Sequence, residues 1–336
     1  MKTQPASIND IAKALGISAS TVSRALRGHP DINADTRHRV QEFARKVNYR
    51  PNALALGLKH QRSFTLGIII PEIIHHFFSS IISGIEEIAY NKGYRVMICQ
   101  SNEDFQREVI NLQALIDHRV DGLLVSHSKT TENFQHFFEA AQSNLPIVFI
   151  DRFVNELNTD KVITDDFQGA CMVTSHLIER GRKNIIHLAA PTQLVVGRER
   201  HRGYLEALKK FGLQANEELV FQCDTPAGVM AQKDKILKLA TKIDSIFAVN
   251  DFTAIAAMKI IQEAGYKVPD HIAVAGFGDD PIASIVKPSL TTVEQKGFEM
   301  GMHAVKMLIE RIEQPRGDFE PKTEVFPVKI IVREST

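Results

Sequence analysis

From Phe64 onward the chain alternates short apolar segments with segments of helical length, such as the helix predicted from Phe77 to Lys92. This alternation predicts parallel sheets with helices on both faces. The series is long enough for two such sheets, so we expect an α/β body of two doubly wound parallel-sheet subdomains, with a ligand site at the carboxyl ends of the strands. The predicted strands are Leu66–Ile70, Arg95–Gln100, Gly122–Ser126, Ile147–Ile150, Val162–Thr164, Ile185–Leu188, Ile246–Val249 and Ala273–Gly276.

The segment before this body has the pattern of short helices. Ser7 and Asp10 have the spacing of a capping box, and Gly16 can end the first helix in the left-handed conformation. Ser18 can cap a second helix that runs to about Leu26. Two short helices joined by a tight turn form a helix-turn-helix, so we predict an all-α head. The alternative is a generic three-helix bundle that contacts other proteins.

The charge of the chain is divided unevenly. Residues 1–62 hold 11 Lys and Arg against 4 Asp and Glu, whereas the remainder holds 29 against 36, although the whole chain has a formal net charge of +0. A basic head on an acidic body indicates that the head meets a polyanion. A solvated charged face is the alternative interpretation of the head.

Specific motifs of the head resemble those of the lactose-repressor/galactose-repressor family of transcription regulators. The resemblance continues through the body, which is similar to periplasmic sugar-binding proteins, and covers nearly the whole chain. The matching motifs are Asn9-Asp10-Ile11-Ala12, Gly16-Ile17-Ser18, Thr21-Val22-Ser23-Arg24 and Asn48-Tyr49-Arg50-Pro51-Asn52-Ala53 in the head, and Val120-Asp121-Gly122, Asn250-Asp251 and Leu290-Thr291-Thr292-Val293 in the body.

The resemblance implies which residues contact DNA. In the family the second helix enters the major groove, and the residues that read base edges there correspond to Ala19, Ser20 and Arg24. An arginine suits the two acceptors of guanine, and Ala19 suits only a thymine methyl group. The residues with short polar groups suited to phosphates, which set register without reading sequence, are Ser18, Thr21, Ser23 and Asn33.

A hinge is expected between head and body. Pro51 interrupts the head, and Asn52 can restart a short helix that ends near Leu58. In the family this helix forms over the minor groove, where a leucine that matches Leu58 wedges into a base step and kinks the DNA. The alternative is an ordinary linker in which Leu58 packs against the body.

These patterns divide the chain into a head at 1–50, a hinge and linker at 51–62, and an effector-binding and dimerisation body at 63–336. The resemblance implies three crossings between the two body subdomains. We therefore expect one subdomain at about 63–160 and 292–322, and the other at about 161–291 and 323–336. The crossings would form a hinge for closure around a ligand.

Polar residues that follow predicted strands are the candidates for effector binding. Asp151 and Arg152 follow one strand, and Asn250 and Asp251 follow another. Arg200 matches the arginine by which family members hold their effector. Arg200 could instead belong to a solvated charged face, and Asp251 could only cap the helix that follows it.

Two further features concern the walls of the site. Phe77 and Phe78 could supply an apolar wall, which is usual in small-molecule pockets, or could both be core residues. After Gly276-Phe277 the family usually has an Asp that contacts the ligand, but this chain has Gly278. Either Asp279 replaces that contact or the contact is missing.

Other functional classes lack support in the sequence. We find no GxSxG, HExxH, P-loop or GxGxxG motif, so we expect no enzyme activity and no cofactor. The three cysteines are too far apart for a zinc site, and His75-His76 fits a solvated loop better than a metal site. The sequence has neither an export signal nor an apolar run that would span a bilayer, so we expect no membrane partner and a cytoplasmic location, unlike a transport binding protein.

The sequence therefore predicts a homodimeric repressor whose affinity for a near-palindromic operator is controlled by a small molecule, with a carbohydrate as the expected effector. Two-fold symmetry of the protein would be mirrored in the two half-sites of the DNA. Phosphate contacts should make the affinity fall steeply with salt.

Arg24→Ala should relax base preference at one position in each operator half-site. A bidentate contact between arginine and guanine is worth about 1–3 kcal/mol of discrimination. Binding of the variant to a set of operators, each substituted at a single position, measures the effect. An unchanged preference would contradict the role of Arg24.

Overall fold

A computed structural model describes residues 6–49, 62–314 and 320–336. The chain divides into two compact units, Met1–Ser63 and Phe64–Thr336. Within the described residues, no helix is both long enough and apolar enough to cross a membrane.

The head contains three short helices, α1 (Ile8–Leu15), α2 (Ala19–Leu26) and α3 (Ala34–Lys46). The predicted capping box is present, with the Ser7 amide donating to Asp10 at 2.8 Å and the Asp10 amide donating to the Ser7 hydroxyl at 3.3 Å. Gly16 has a φ of 66°, which ends α1 and turns the chain into α2. The buried side chains of the helices meet in one small core: Ile11, Ala12, Val22, Ala25, Val40 and Ala44.

The body contains strands and helices in regular alternation. Its strands are β1 (Thr65–Ile70), β2 (Arg95–Gln100), β3 (Gly122–Val125), β4 (Ile147–Ile150), β5 (Asp160–Thr164), β6 (Ile185–Ala189), β7 (Val220–Gln222), β8 (Ser245–Ala248), β9 (Ala273–Ala275), β10 (Thr292–Glu294), β11 (Thr323–Phe326) and β12 (Lys329–Ile331). Its α-helices are α4 (His76–Asn91), α5 (Phe105–Asp117), α6 (Gln135–Gln142), α7 (Asp166–Glu179), α8 (Val195–Lys210), α9 (Pro226–Ala231), α10 (Lys233–Leu239), α11 (Asp251–Glu263) and α12 (Gly297–Glu313).

Two parallel sheets organise the body. The first has the strand order β11-β5-β4-β3-β1-β2 and the second has the order β7-β6-β8-β9, and all their pairings are parallel. β10 and β12 form an antiparallel pair. The structure thus confirms both the predicted pair of doubly wound sheets in the body and the predicted all-α head.

The crossings between the two subdomains come slightly later in the chain than expected. β5, at 160–164, pairs with β4, and β11, at 323–326, pairs with β5, so both strands belong to the first sheet and not to the second. Thr291, directly before β10 at 292–294, is bridged to Ala275 of β9 in the second sheet, and Glu294 of β10 is bridged to Gly278 after β9. The reason is that these strands find backbone partners in those sheets, so the chain can leave only after each strand has ended.

Helices α4 and α12 approach each other closely on one face of the first sheet. A Cβ atom at Gly84 would collide with the carbonyl of Phe298, and one at Gly301 would collide with the carbonyl of Ile81. Glycine at both positions therefore lets the two backbones touch, which closes this face of the core.

The second sheet buries a histidine among aromatic rings. His187 on β6 is fully buried and stacks on Phe247, Tyr204 and His201, with ring centroids 4.8, 4.9 and 5.5 Å away. Its Nδ1 lies 3.2 Å from the Phe247 carbonyl, and Nε2 has no hydrogen-bond partner among the described residues. Burial lowers the pKa of His187 to about 3, so the imidazole serves as a neutral core aromatic.

This burial predicts a pH-dependent loss of stability. The folded imidazole takes up a proton only near pH 3, whereas the unfolded one does so near 6.5, so acid favours the unfolded state throughout that window. Between pH 7 and 4 the wild type should lose about 3 kcal/mol more unfolding free energy than His187→Gln.

Urea unfolding of both proteins at each pH measures this difference. The matched control is His118→Gln, which replaces an exposed histidine after α5 and should keep the wild-type pH dependence. If the free energy of unfolding changed with pH equally in the wild type and in His187→Gln, His187 would not be the source of the pH dependence.

Candidate functional site: a DNA-reading helix and an effector cleft

The exposed face of α2 carries the residues predicted to read bases. Ser20 and Arg24 are exposed and Ala19 is half-buried, while Val22 and Ala25 face the core. No hydrogen bond or ion pair within the described residues involves the Arg24 guanidinium. The helix therefore presents a free cation beside small side chains, which suits insertion into a groove.

Two of the residues predicted to contact phosphate also cap helices. The Ser18 hydroxyl accepts a hydrogen bond from the Thr21 amide at 3.1 Å, and the Asn33 Oδ1 accepts one from the Thr36 amide at 2.7 Å. No described residue accepts a hydrogen bond from the Asn33 Nδ2, so this group can donate to a phosphate. Thr21 and Ser23 are half-buried on α2. The two hinge residues of the predicted set, Asn52 and Leu58, lie outside the described residues.

The body has a cavity of about 200 Å³ between its two sheets. Segments that follow β1, β2, β3 and β4 of the first sheet line one side, and segments that follow β6, β7, β8 and β9 of the second line the other. The site therefore lies where parallel strands end, as expected for this architecture. Its volume falls below the roughly 300–1,000 Å³ of drug-sized pockets, which favours a small ligand.

Asp151 and Arg152 line this cavity directly after β4. Asp151 is buried and has a φ of 66°, a left-handed conformation that Asp tolerates better than most residues. Its carboxylate accepts no hydrogen bond from any described residue, and its nearest cationic atom is the Arg152 Nε at 3.9 Å. That Nε is itself buried without a hydrogen-bond partner there. Burial raises the pKa of Asp151.

Arg200 lines the opposite side of the cavity, and its guanidinium is fixed by an ion pair and a hydrogen bond to other residues of the body. Its Nε and Nη2 each lie 2.7 Å from the Asp166 carboxylate, and its Nη1 donates to the Val249 carbonyl at 2.6 Å. The guanidinium carbon lies 3.8 Å from the centroid of the Phe277 ring. Burial raises the pKa of Asp166 to about 7 despite the opposing charge of Arg200. Arg200 is buried, so it does not belong to a solvated charged face.

Asn250 and Asp251 line the cavity, but their side chains already form hydrogen bonds within the body. Asn250 caps α11, accepting from the Thr253 amide at 2.9 Å, and its Nδ2 donates to the Asp224 carbonyl at 2.8 Å. Asp251 accepts from the Thr292 hydroxyl at 2.5 Å and from the Asp280 amide at 2.7 Å. Burial raises the pKa of Asp251 to about 6. Asn250, and not Asp251, therefore provides the helix cap.

Asp279 lies outside the cavity lining, contrary to its predicted place in the effector site. Its carboxylate accepts a hydrogen bond from the Arg333 Nη2 at 2.7 Å, and this ion pair directs it away from the ligand space. Gly278 and Asp280 line the cavity instead. Asp280 caps the 3₁₀ helix Pro281–Ser284, so the contact expected from Asp279 is absent from this wall.

Phe77 and Phe78 both line the cavity at the start of α4. Phe78 also belongs to the core of the first sheet, and Phe77 is half-buried with its ring 5.4 Å from that of Phe78. The same pair of rings thus forms an apolar wall of the cavity and part of the core, so the wall interpretation and the core interpretation both hold.

Several charged residues of the site carry no signal in the sequence. Glu103 follows β2, and its carboxylate accepts hydrogen bonds from the Arg152 Nη1 and Nη2 at 2.7 and 2.9 Å. Lys129, after β3, forms an ion pair with Asp224, after β7, with an N–O distance of 3.4 Å. Their position at strand ends was the only available clue. Within the described residues, no cluster of three or more His, Cys, Asp or Glu could hold a metal ion, and His75 lies 2.9 Å from Glu72.

Comparison with known proteins matches both parts of the chain. A family model for bacterial regulatory proteins of the lacI family matches residues 7–52, and one for the periplasmic binding protein-like domain matches residues 174–336.

Full-length similarity extends these matches. The ribose operon repressor of Halalkalibacterium halodurans is 32% identical over 330 residues, covering 98% of this chain and 96% of the relative. A solved lac repressor dimer, bound to operator and the anti-inducer ONPF, has a TM-score of 0.86 at 25% identity and 99% coverage of both chains. A complex of the regulator CelR with cellobiose has a TM-score of 0.73 at 26% identity, covering 98% of this chain and 100% of that one.

A helix-turn-helix head joined to a cleft-containing body defines the class of DNA-binding transcription regulators that respond to a small molecule. The chain belongs to the lacI family of bacterial regulatory proteins.

The Arg200–Asp166 pair should show strong energetic coupling. Arg200→Met leaves a buried carboxylate without its counter-charge and should cost about 3–5 kcal/mol of unfolding free energy. Adding Asp166→Asn should recover part of that loss, so the double variant should lose at least about 1 kcal/mol less than the sum of the single variants.

Urea unfolding of the four proteins measures the coupling. Arg202→Met is the control, because it breaks the exposed pair with Glu199 on the same helix and should cost no more than about 1 kcal/mol. Additive losses at 200 and 166 would contradict the pairing.

Proposed function

We propose that this regulator is a homodimeric repressor whose operator affinity is controlled by a carbohydrate bound in the cleft of the body. The observation that carries the proposal is Asp151, because its carboxylate lines the cavity and accepts no hydrogen bond from any described residue. A sugar hydroxyl can donate to such a carboxylate.

The remaining walls suit the same ligand. Arg200 can still donate from protons not used by Asp166 and Val249, and Phe77 and Phe277 supply apolar surface. A sugar combines hydroxyl edges with faces of C–H groups, so it matches a cavity that alternates polar and aromatic walls. The CelR complex, which holds cellobiose, supports the carbohydrate class.

Exposed apolar residues along one edge of the first sheet support the proposed homodimer. Ile98 lies on β2, the edge strand, and Ile110 on α5, which packs beside it. Ile74 is 82% exposed, and the amide of its neighbour Ile73 donates to Gln100 of β2 at 3.0 Å. An apolar edge strand of this kind is a frequent protein–protein contact. The lac repressor is a dimer on its operator.

We propose a regulatory and not a catalytic role, and a cytoplasmic location, where chromosomal operators are accessible. The effector would act by favouring one arrangement of the two subdomains, and this arrangement would set the spacing of the paired heads.

Asp151→Asn should weaken effector binding by about 10- to 100-fold, because one acceptor is replaced by a donor at the hydroxyl site. Asparagine also tolerates the left-handed backbone at this position, so the change isolates chemistry from strain. A thermal-shift screen of sugars, sugar phosphates and nucleosides identifies the probe, and calorimetry measures its affinity for both proteins.

Asp117→Asn is the matched control, because this exposed carboxylate lies outside the cavity. Operator binding without ligand, measured by fluorescence anisotropy on DNA selected from a random library, should be equal for all three proteins. Stabilisation by nucleosides but by no carbohydrate would contradict the proposed effector class, and wild-type affinity in Asp151→Asn would remove Asp151 from the site.

A further inference from the structure

Every cation that lines the cavity is already neutralised. One lysine and two arginines line it, and each has a carboxylate partner within hydrogen-bonding or ion-pairing distance. The pairs are Arg152–Glu103 at 2.7 Å, Arg200–Asp166 at 2.7 Å and Lys129–Asp224 at 3.4 Å. None of the three presents an unshared positive charge to a ligand.

Glu103 uses up the part of Arg152 that would otherwise bind an anion. Its two carboxylate oxygens accept from Nη1 and Nη2 at 2.7 and 2.9 Å, which is the bidentate geometry that a carboxylate or phosphate ligand would need. Nη1 also donates to the His127 carbonyl at 3.1 Å, so among the described residues only the Nε–H and one Nη2–H have no acceptor, and the Nε is buried.

The chain holds Glu103 in this position with some backbone strain. Asn102 and Glu103 both have left-handed backbones, with φ values of 53° and 57°. The Lys129 amide donates to the Glu103 carboxylate at 2.7 Å, and the Thr130 hydroxyl donates to its carbonyl at 2.8 Å. Burial alone would raise the pKa of Glu103, but the charge of Arg152 outweighs it and holds the pKa below its usual value.

The remaining charge of the cavity is negative. Six carboxylates line it, against one lysine and two arginines. Four of these carboxylates form no hydrogen bond with the three cations, and the shortest approach is the 3.9 Å between Asp151 and Arg152. The four are Glu72, Asp151, Asp251 and Asp280. An anionic ligand would therefore meet like charges without a free counter-charge, which disfavours binding strongly in a buried site.

We propose that Glu103 is a specificity-determining residue that makes this cleft select uncharged ligands over their anionic analogues. The inference rests on the proposed carbohydrate effector and goes beyond it, because sugar acids and sugar phosphates are excluded by charge. Removing the Glu103 charge leaves Nη1 and Nη2 of the Arg152 guanidinium free to bind the acid group of a ligand.

Size offers a competing explanation, because a cavity of about 200 Å³ could also reject a bulky phosphate. The two explanations differ in one respect. Glu103→Gln keeps the side-chain volume and removes only the charge, so it relieves rejection by charge and leaves rejection by size intact.

Calorimetry on the full-length protein tests the proposal with matched pairs of ligands: D-glucose and D-glucuronate, D-galactose and D-galacturonate, and D-ribose and D-ribose 5-phosphate. The wild type should bind the uncharged member of at least one pair more tightly by about 100-fold or more. In Glu103→Gln this ratio should fall by at least about tenfold. Glu132→Gln removes an exposed charge from the loop after β3, outside the cavity, and should keep the wild-type ratio.

If Glu103→Gln does not fold, the affinity ratio of the wild type still tests the proposal. Equal or tighter binding of an acid or phosphate by the wild type overturns the inference while leaving a carbohydrate effector in place. A ratio unchanged in folded Glu103→Gln also overturns it. Binding of none of the six probes, together with stabilisation by nucleosides alone, overturns the carbohydrate effector and this inference with it.

Discussion

Parallel strand pairing is the constraint on which the body depends. A parallel strand cannot be followed by a hairpin, so each connection must return along a helix, and both faces of the sheet become covered. The same rule sends every segment that follows a strand to one edge. Because the two sheets present these edges to each other, residues as distant in sequence as Glu103 and Asp224 line a single cavity.

The positions of most strands in the chain, and of the residues that follow them, were accessible from the sequence because they follow from periodicity. Asp151, Arg152, Asn250 and Asp251, proposed because they follow buried strands, all line the cavity in the structure. What each side chain does there was not accessible. Asn250 caps a helix, and Asp251 ties α11 to Thr292, because both partners come from segments that only the folded chain brings near.

Asp279 illustrates a second limit. It directly precedes the cavity-lining Asp280, yet Arg333, near the other end of the body, turns its carboxylate elsewhere. Pairing between residues 54 positions apart leaves no local pattern. The same holds for Glu103 and Asp166, whose importance lies entirely in the arginines that they hold. Sequence reasoning therefore located the arginines of the cavity better than the carboxylates that pair with them.

The Lys129–Asp224 contact has a consequence for how the cleft behaves as a switch. The two side chains follow strands of different sheets, so opening the cleft must separate them. Both are partly exposed, and such a pair contributes only about 0–1 kcal/mol. A contact this weak adds little to any free-energy difference between a closed and an open cleft. It can therefore mark the closed arrangement without locking it, and the balance is left to the ligand.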